Sequence, residues 1–343
     1  MGNRGRTAGA RFGALVMAAA VLAGCSSAGD DANGTTTSAD AGAGATSSSA
    51  AGAKAGGGTF DLLSYNVAGL PQEISKEQPS THLPMISPKL NDFQVVMTQE
   101  DFDWWAKLAS GFDFVNYHTR LRADTTHEYQ SPKHPGPDAV GLDLTSRPAP
   151  EVGDGLGILS TFEITGNDRV PWVGCFGGMD TSDGGAGDCL SMKGFQHMVL
   201  HVGDGREVDL YNLHGEAGGS ETDQKLQADD FAQLAAYIAE HSKGRAVIVG
   251  GDTNLHTGGD HPDGASGADL KIWTTFLDAA GLTDSCAATD CPDETRIDKV
   301  AFRSGEGVDL DVTSHRFLDW KDPEGADLSD HDPLAVTVAW SPT

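Results

Sequence analysis

Val247-Ile248-Val249-Gly250-Gly251-Asp252-Thr253-Asn254 is the stretch on which the reading of this chain turns. Three branched apolar residues in succession describe a strand buried on both faces, because side chains alternate and neither face here carries a polar group. The two glycines end the apolar run and let the backbone turn closely at the strand's exit. A carboxylate follows and, two residues on, an amide; extended backbone points Asp252 and Asn254 the same way. A hydrophobic rod thus holds an acceptor-only group and a donor–acceptor group at its tip. Taken alone, Asp, Thr and Asn after a strand are also ordinary turn residues. The rest of the chain decides between a turn and a site.

The pattern recurs along the sequence. Phe60 to Val67 reads as an opening strand with Asn66 near its exit, ended by Gly69 and Pro71. Val95 to Gln99 is a second buried strand, and Glu100 follows it directly; a carboxylate there is costly to bury unless paired or metal-bound. Gly155 to Ser160 returns to a strand. His197 to Val202 and Val208 to Leu213 pair across the turn Gly203-Asp204-Gly205, and the second delivers His214. Arg296 to Phe302 is a strand bearing Asp298, and Ser329-Asp330-His331-Asp332-Pro333 leads into a terminal strand, Leu334 to Trp340. Helices are expected over Thr222–His241, from the spacing of Leu226, Phe231, Leu234, Ala235 and Ile238, and over Leu270–Ala280, closed by Gly281. Another begins at Asp101 and runs to Ser110, with Trp104 and Trp105 read as packing residues before membrane contacts. Asn116 to Pro150, rich in Pro and His, reads as a long surface loop in which His118, His127 and His134 are solvated rather than gathered on a metal.

Composition sets the frame. Residues 1–24 carry Arg4, Arg6 and Arg11 ahead of an apolar run from Phe12 to Ala23, a secretory signal too short to span a bilayer. Leu22-Ala23-Gly24-Cys25 resembles the lipobox of bacterial lipoproteins, which implies cleavage before Cys25 and lipidation of its thiol. Acyl chains stabilise attachment by about 0.8 kcal/mol per buried methylene. Residues 25–58 are Ser, Thr, Ala and Gly with little large and apolar, hence a flexible tether; residues 59–343 form the folded domain. The expected location is the outer face of the bacterial cell membrane, and the expected state a monomer. Four further cysteines in an exported chain point to disulfides, with proximity favouring Cys175–Cys189 and Cys286–Cys291 among three pairings. The net charge of −27 repels polyanions and leaves no basic stripe for duplex nucleic acid. A divalent cation can nevertheless reverse the field locally.

Asn66, Glu100, His214, Asp252, Asn254, Asp298, Asp330 and His331 come from the beginning, middle and end of the chain. In their settings Tyr65-Asn66-Val67, Gln99-Glu100, Asn212-Leu213-His214, Gly251-Asp252-Thr253-Asn254, Arg296-Ile297-Asp298 and Ser329-Asp330-His331-Asp332-Pro333, they resemble the endonuclease/exonuclease/phosphatase superfamily. That superfamily includes deoxyribonuclease I-like enzymes and bacterial sphingomyelinases. The resemblance implies an α+β fold, a four-layer α/β/β/α sandwich of two mixed, mostly antiparallel sheets with helices outside. It also implies magnesium-dependent attack of water on phosphorus. Glu100 is then the chief metal ligand with Asn66 beside it, while Asp252 and Asn254 position water and phosphoryl oxygens. His331 is the general base, oriented by Asp330; His214 donates to a phosphoryl oxygen or the leaving group, held by Asp298.

The chemistry asks for these residue types. Phosphoryl transfer accumulates charge on oxygen, which a cation and fixed donors stabilise most in the transition state. Magnesium prefers oxygen ligands and typically takes one or two carboxylates, keeping waters. Histidine moves protons near neutrality, and an aspartate fixes its tautomer. Asp188-Cys189-Leu190-Ser191-Met192-Lys193-Gly194-Phe195 and the run from Asn212 to Gly218 are closer in look to the sphingomyelinase branch, with Lys193 a candidate phosphate contact. A phospholipid head group is therefore the expected substrate, approached without an aromatic hairpin for membrane insertion unless Trp104 and Trp105 serve. An exported nuclease or phosphatase, and a silent adhesin on the same fold, are the alternatives.

Overall fold

The computed structural model describes residues 56–70, 72, 75, 77–102, 117–134, 152–178, 185, 187–259 and 261–343. The expected signal segment, Cys25, nearly all of the expected tether and the helix expected at Trp104 and Trp105 lie outside them.

Twelve strands form two six-stranded sheets among the described residues. The first holds β1 (Gly58–Asn66), β2 (Val95–Gln99), β3 (Tyr129–Gln130), β4 (Gly157–Ser160), β11 (Asp309–Phe317) and β12 (Leu334–Ser341), in the order β11-β12-β1-β2-β4-β3. The second holds β5 (Ile164–Pro171), β6 (Gly194–Gly203), β7 (Arg206–His214), β8 (Ala246–Asp252), β9 (Thr283–Asp284) and β10 (Asp298–Arg303), in the order β5-β6-β7-β8-β10-β9. Each sheet contains one parallel pair, β1–β2 and β7–β8. Every other pairing is antiparallel. A parallel pair needs a crossover, and helices α1 (Pro79–Lys89) and α3 (Glu221–His241) supply them.

Alternation along the strands makes four layers. Ile248 packs between the sheets with Leu62, Val95, Met97, Ile158, Leu210 and Val300. Its neighbours Val247 and Val249 point the other way, onto Phe231, Leu234 and Ile238 of α3 and Trp273 and Phe276 of α4 (Ala268–Ala280). Across the molecule, Leu63, Val96 and Leu159 face Leu83 and Ile86 of α1. Each such buried aliphatic side chain contributes about 1.5–3 kcal/mol. The expected sandwich is the observed one, and both expected disulfides are present.

Two local features depart from expectation. The segment after Asn116 is not a plain solvated loop: α2 (His118–Leu121) and β3 lie within it. His118 is buried against Asp101, and His127 is buried with Nε2 2.9 Å from the Phe93 carbonyl. His134 lies 3.9 Å from Asp154. Each ring meets a different partner and none is solvated; apolar neighbours such as Tyr117 and Leu121 drew the segment inward. Helix α1 contains Pro84, which cannot bond the Ser80 carbonyl one turn back; Arg120 donates to that carbonyl instead, at 3.2 Å.

Candidate active site

The two parallel pairs decide where the polar tips go, because parallel strands end at the same pole. Register sets His214 beside Asp252, and Asp252 beside Asp298, across β7, β8 and β10. In the other sheet Asn66 is level with Gln99, so Glu100 emerges next to it. The segment before β12 brings His331 to the same pole.

Asn66 bridges the sheets. Its Nδ2 donates to Glu100 Oε1 at 3.1 Å and to Asp252 Oδ2 at 3.0 Å, and lies 3.5 Å from His331 Nε2. Asp252 Oδ2 is also 3.3 Å from His214 Nε2 and 3.6 Å from His331 Nε2. Its Oδ1 accepts from the Asn254 amide at 3.0 Å, while Asn254 Nδ2 donates to the Gly215 carbonyl, also at 3.0 Å. Lys193 donates to that same carbonyl at 3.1 Å and pairs with Asp188 at 2.6 Å. The close approach of β7 and β8 requires glycine: a Cβ on Gly251 would sit 2.0 Å from the Leu213 carbonyl oxygen.

Backbone strain collects at this pole. Ala68, Glu100 and Asn254 all have positive φ, 47°, 53° and 53°. Such conformations cost about 1–3 kcal/mol each and persist where surrounding structure over-determines them.

The electrostatics follow from burial and pairing. Burial pushes the Glu100 carboxyl up, and the pull of His214, Asn66 and His331 does not cancel it. Burial acts the same way on Asp252, but His331, His214 and Lys193 outweigh it and hold that group far below the carboxylate range. For His331 burial favours the neutral ring, yet Asp298 and Asp252 raise its pKa well above the ordinary histidine value. An imidazole so placed is a strong base whose conjugate acid is steadied from two sides.

Residues 63–331 match the model of the Endonuclease/Exonuclease/phosphatase family. The chain belongs to that family. Sphingomyelinases of Mycobacterium tuberculosis (strain ATCC 25618 / H37Rv) and Mycobacterium bovis are each 32% identical over 304 residues, covering 81% of this chain and 52% of theirs. The chain therefore spans about half the length of these curated relatives. Two solved structures share the fold. A beta toxin double mutant from Staphylococcus aureus with bound magnesium ions superposes with TM-score 0.55 at 19% identity, covering 83% of this chain and 100% of that one. Sphingomyelinase C from Streptomyces griseocarneus gives 0.54 at 19%, covering 82% and 99%.

For this endonuclease/exonuclease/phosphatase family member, the structure brings Asn66, Glu100, His214, Asp252, Asn254, Asp298, His331 and Lys193 together, but it changes the expected pairings. Asp298 Oδ2 lies 2.7 Å from Nδ1 of His331, not on His214, whose carboxylate neighbour is Asp252. Asp330 is exposed and makes no hydrogen bond to His331; Ser329 donates to it at 3.4 Å. The cause is chain geometry: Asp298 opens β10 facing the segment that carries His331, whereas Asp330 is the ring's sequence neighbour and points elsewhere. Lys193 is buried, its ammonium engaged by Asp188 and the Gly215 carbonyl.

The family implies a magnesium ion, and the donor chemistry here fits one. Glu100 is a hard oxygen donor whose burial outweighs the pull of its neighbours, and the Asn66 carboxamide lies against it. Two donors suffice, since magnesium retains waters and takes substrate oxygens. In this structure the nitrogen of the Asn66 amide, not its oxygen, faces Glu100; Oδ1 accepts from Ala68. Asp252, Asp298 and His331 form a second cluster, with ligand atoms within 4.8 Å of one another. Cys286, Cys291 and His315 form another, but its sulfurs are joined in a disulfide.

Two residues beneath the site, quoted in the sequence only as neighbours of Glu100 and His214, were given no role there. Gln99 Nε2 donates to Asn212 Oδ1 at 2.7 Å, and Asn212 Nδ2 donates to the Thr98 and Gly157 carbonyls at 3.0 Å each, stapling one sheet to the other. The signal was available: Asn212 is a polar residue inside an apolar strand, two positions before His214 and so on the same face.

Proposed function

We propose that this family member is an exported, magnesium-dependent phosphodiesterase of the sphingomyelinase type, acting on a phospholipid head group. The observation that carries the reading is the convergence on Asp252 Oδ2 of Asn66, His214 and His331, with Glu100 on Asn66 and Asp298 on His331. That arrangement joins an oxygen-donor metal position to two imidazoles in one largely buried cluster.

His331 takes a proton from water at Nε2, and Asp298 at Nδ1 orients the ring and stabilises the imidazolium. Water attacks phosphorus, the ester bond on the lipid side breaks, and a phosphomonoester and a lipid alcohol leave. Asn254 and Asp252 orient the attacking water and the phosphoryl oxygens. His214 supplies a proton on the leaving-group side, and Lys193 holds the Gly215 backbone next to it. Glu100, with Asn66 beside it, would hold a magnesium ion, which would supply charge stabilisation for the phosphoryl oxygens.

The N-terminal reading belongs to the same proposal: a signal through Gly24, lipidation at Cys25, and a tether to the catalytic domain. Mass analysis of the mature N-terminus tests it, an unmodified Cys25 being the contrary result. The activity is tested by incubating the full chain, with and without chelator, on sphingomyelin, DNA and a chromogenic phosphodiester. Chelator-sensitive sphingomyelin turnover is expected. DNA cleavage without lipid cleavage would replace the substrate by nucleic acid, and absent turnover on all three would leave a binding protein.

A further inference from the structure

Behind Glu100 lies a buried ionic cluster that the reaction itself does not use. Asp101 is 3% exposed. Its Oδ1 is 2.9 Å from His118 Nδ1, and its Oδ2 is 2.5 Å from Arg122 Nη1 and accepts from Thr98 Oγ1 at 3.1 Å. Thr98 precedes Glu100 by two residues, so the Thr98–Asp101 bond closes a four-residue ring around Gln99 and Glu100. The backbone is held from outside as well. Asp101 N donates to the Gly155 carbonyl at 2.9 Å, and the Glu100 carbonyl accepts from Gly69 N at 3.1 Å.

We infer that Asp101, clamped by Arg122, His118 and Thr98, is a positioning residue that fixes the left-handed turn of Glu100 and thereby sets the affinity of its carboxylate for magnesium. This rests on the reading of Glu100 as a metal ligand. Three observations support it. Glu100 is a non-glycine residue at φ 53°, a conformation that needs an external restraint. The restraint is an ion pair in the interior, which adds little net stability compared with apolar packing and ties α2 to the residue after Glu100. And the cluster has no slack: a Cβ on Gly157 would lie 2.5 Å from Thr98 Oγ1, 2.6 Å from Arg122 Nη2 and 2.7 Å from Asp101 Oδ2. Arg122 and His118 both come from α2 and its C-terminal flank, so that short helix is the lever arm of the clamp.

The test is magnesium binding measured calorimetrically on the full chain, beside thermal melting, for wild type, Glu100→Gln, Asp101→Asn and Thr98→Val. Groups that orient a ligand through hydrogen bonds typically change metal affinity by about 10- to 100-fold. Asp101→Asn is expected to weaken magnesium binding by that factor. The magnesium concentration needed for half-maximal turnover should move in parallel, with kcat at saturating magnesium within a few-fold of wild type. Thr98→Val keeps shape and charge and is expected to weaken binding several-fold, which covers the case in which Asp101→Asn does not fold. Lower melting temperatures with magnesium affinity unchanged in every folded Asp101 or Thr98 variant would overturn the inference while leaving the metal reading intact. Equal binding by wild type and Glu100→Gln would overturn the metal reading, and the inference with it.

Discussion

At the scale of single residues, one oxygen organises the site: Asp252 Oδ2, shared by an amide and two imidazoles. Removing either ring should therefore affect chemistry far more than folding. His331→Ala and His214→Ala are each expected to lower kcat by about 10²- to 10⁴-fold, the range for a lost acid–base group. Circular dichroism should show them folded; wild-type rates would refute the roles. The pairing of Asp298 with His331 adds a sharper test. Protonated His331 cannot accept a proton, so activity falls as pH drops through its pKa, which carboxylates hold above the ordinary histidine value. Asp298→Asn removes one carboxylate, so the acid limb of the kcat/KM profile should move to lower pH while the plateau drops. An acid limb that stays in place would mean another group titrates there.

At the scale of elements, most strands that carry the site were legible because each is an apolar run with a polar residue at its exit; β10 instead opens on Asp298. Val247 to Asp252 and Val95 to Glu100 announced their termini within a few residues. Helix α1 was not legible: Pro79 suits a helix start, but Pro84 and Pro88 argue against a helix locally, and packing of Leu83 and Ile86 under the sheet overrides them. Strand β11 was equally hidden, its exposed Asp309–Phe317 face being polar and its register interrupted between Val312 and Ser314. The pairings of the two histidines were out of reach for a different reason. Which carboxylate meets His331 depends on how the two sheets are placed against each other, while His214 meets Asp252 through the parallel register of β7 and β8, and spacing along the chain encodes neither. The disulfide Cys175–Cys189, by contrast, was readable from proximity, and it closes the loop between β5 and β6 that precedes Lys193. Replacing both cysteines by serine should cost about 3 kcal/mol by chain-entropy reasoning for a loop near 15 residues. A lowered denaturant midpoint checks this, an unchanged one being the contrary outcome.

At the scale of the whole molecule, charge dominates. Asp209 lies on β7, with Arg245 bonded to both its oxygens at 2.7 and 2.8 Å. Burial would raise the carboxyl, but hydrogen bonds from His197, Arg245 and Ser242 outweigh it and bring it to about 2. A depressed carboxylate contributes stability above its unfolded pKa near 3.9 and loses it as pH falls through the folded value. The contribution is roughly 1–2 kcal/mol, reduced because Arg245 is partly solvated. The stability gap between wild type and Asp209→Asn should thus be full above pH 4 and close towards pH 2 in acid unfolding. A gap independent of pH would exclude this linkage. The net charge of −27 predicts a second collective effect. Under the proposed lipid activity, vesicles containing anionic lipid should be hydrolysed more slowly than neutral ones at low salt. The difference should shrink as the screening length falls from about 30 Å at 0.01 M to about 8 Å at 0.15 M salt. Equal rates at low salt would show that surface potential does not limit encounter.

The antiparallel pairing of β1 with β12 sets Gly58 against Trp340, so the first and last strands begin and finish together at the end of the sandwich remote from His331. Strand β1 alone separates that end from Asn66 by roughly 25–30 Å. A segment joined ahead of Gly58 therefore meets the fold at the end opposite the candidate site. Under the anchoring proposed at Cys25, the site would face away from the membrane that holds the chain, and the tether would have to double back before the site could meet that same surface.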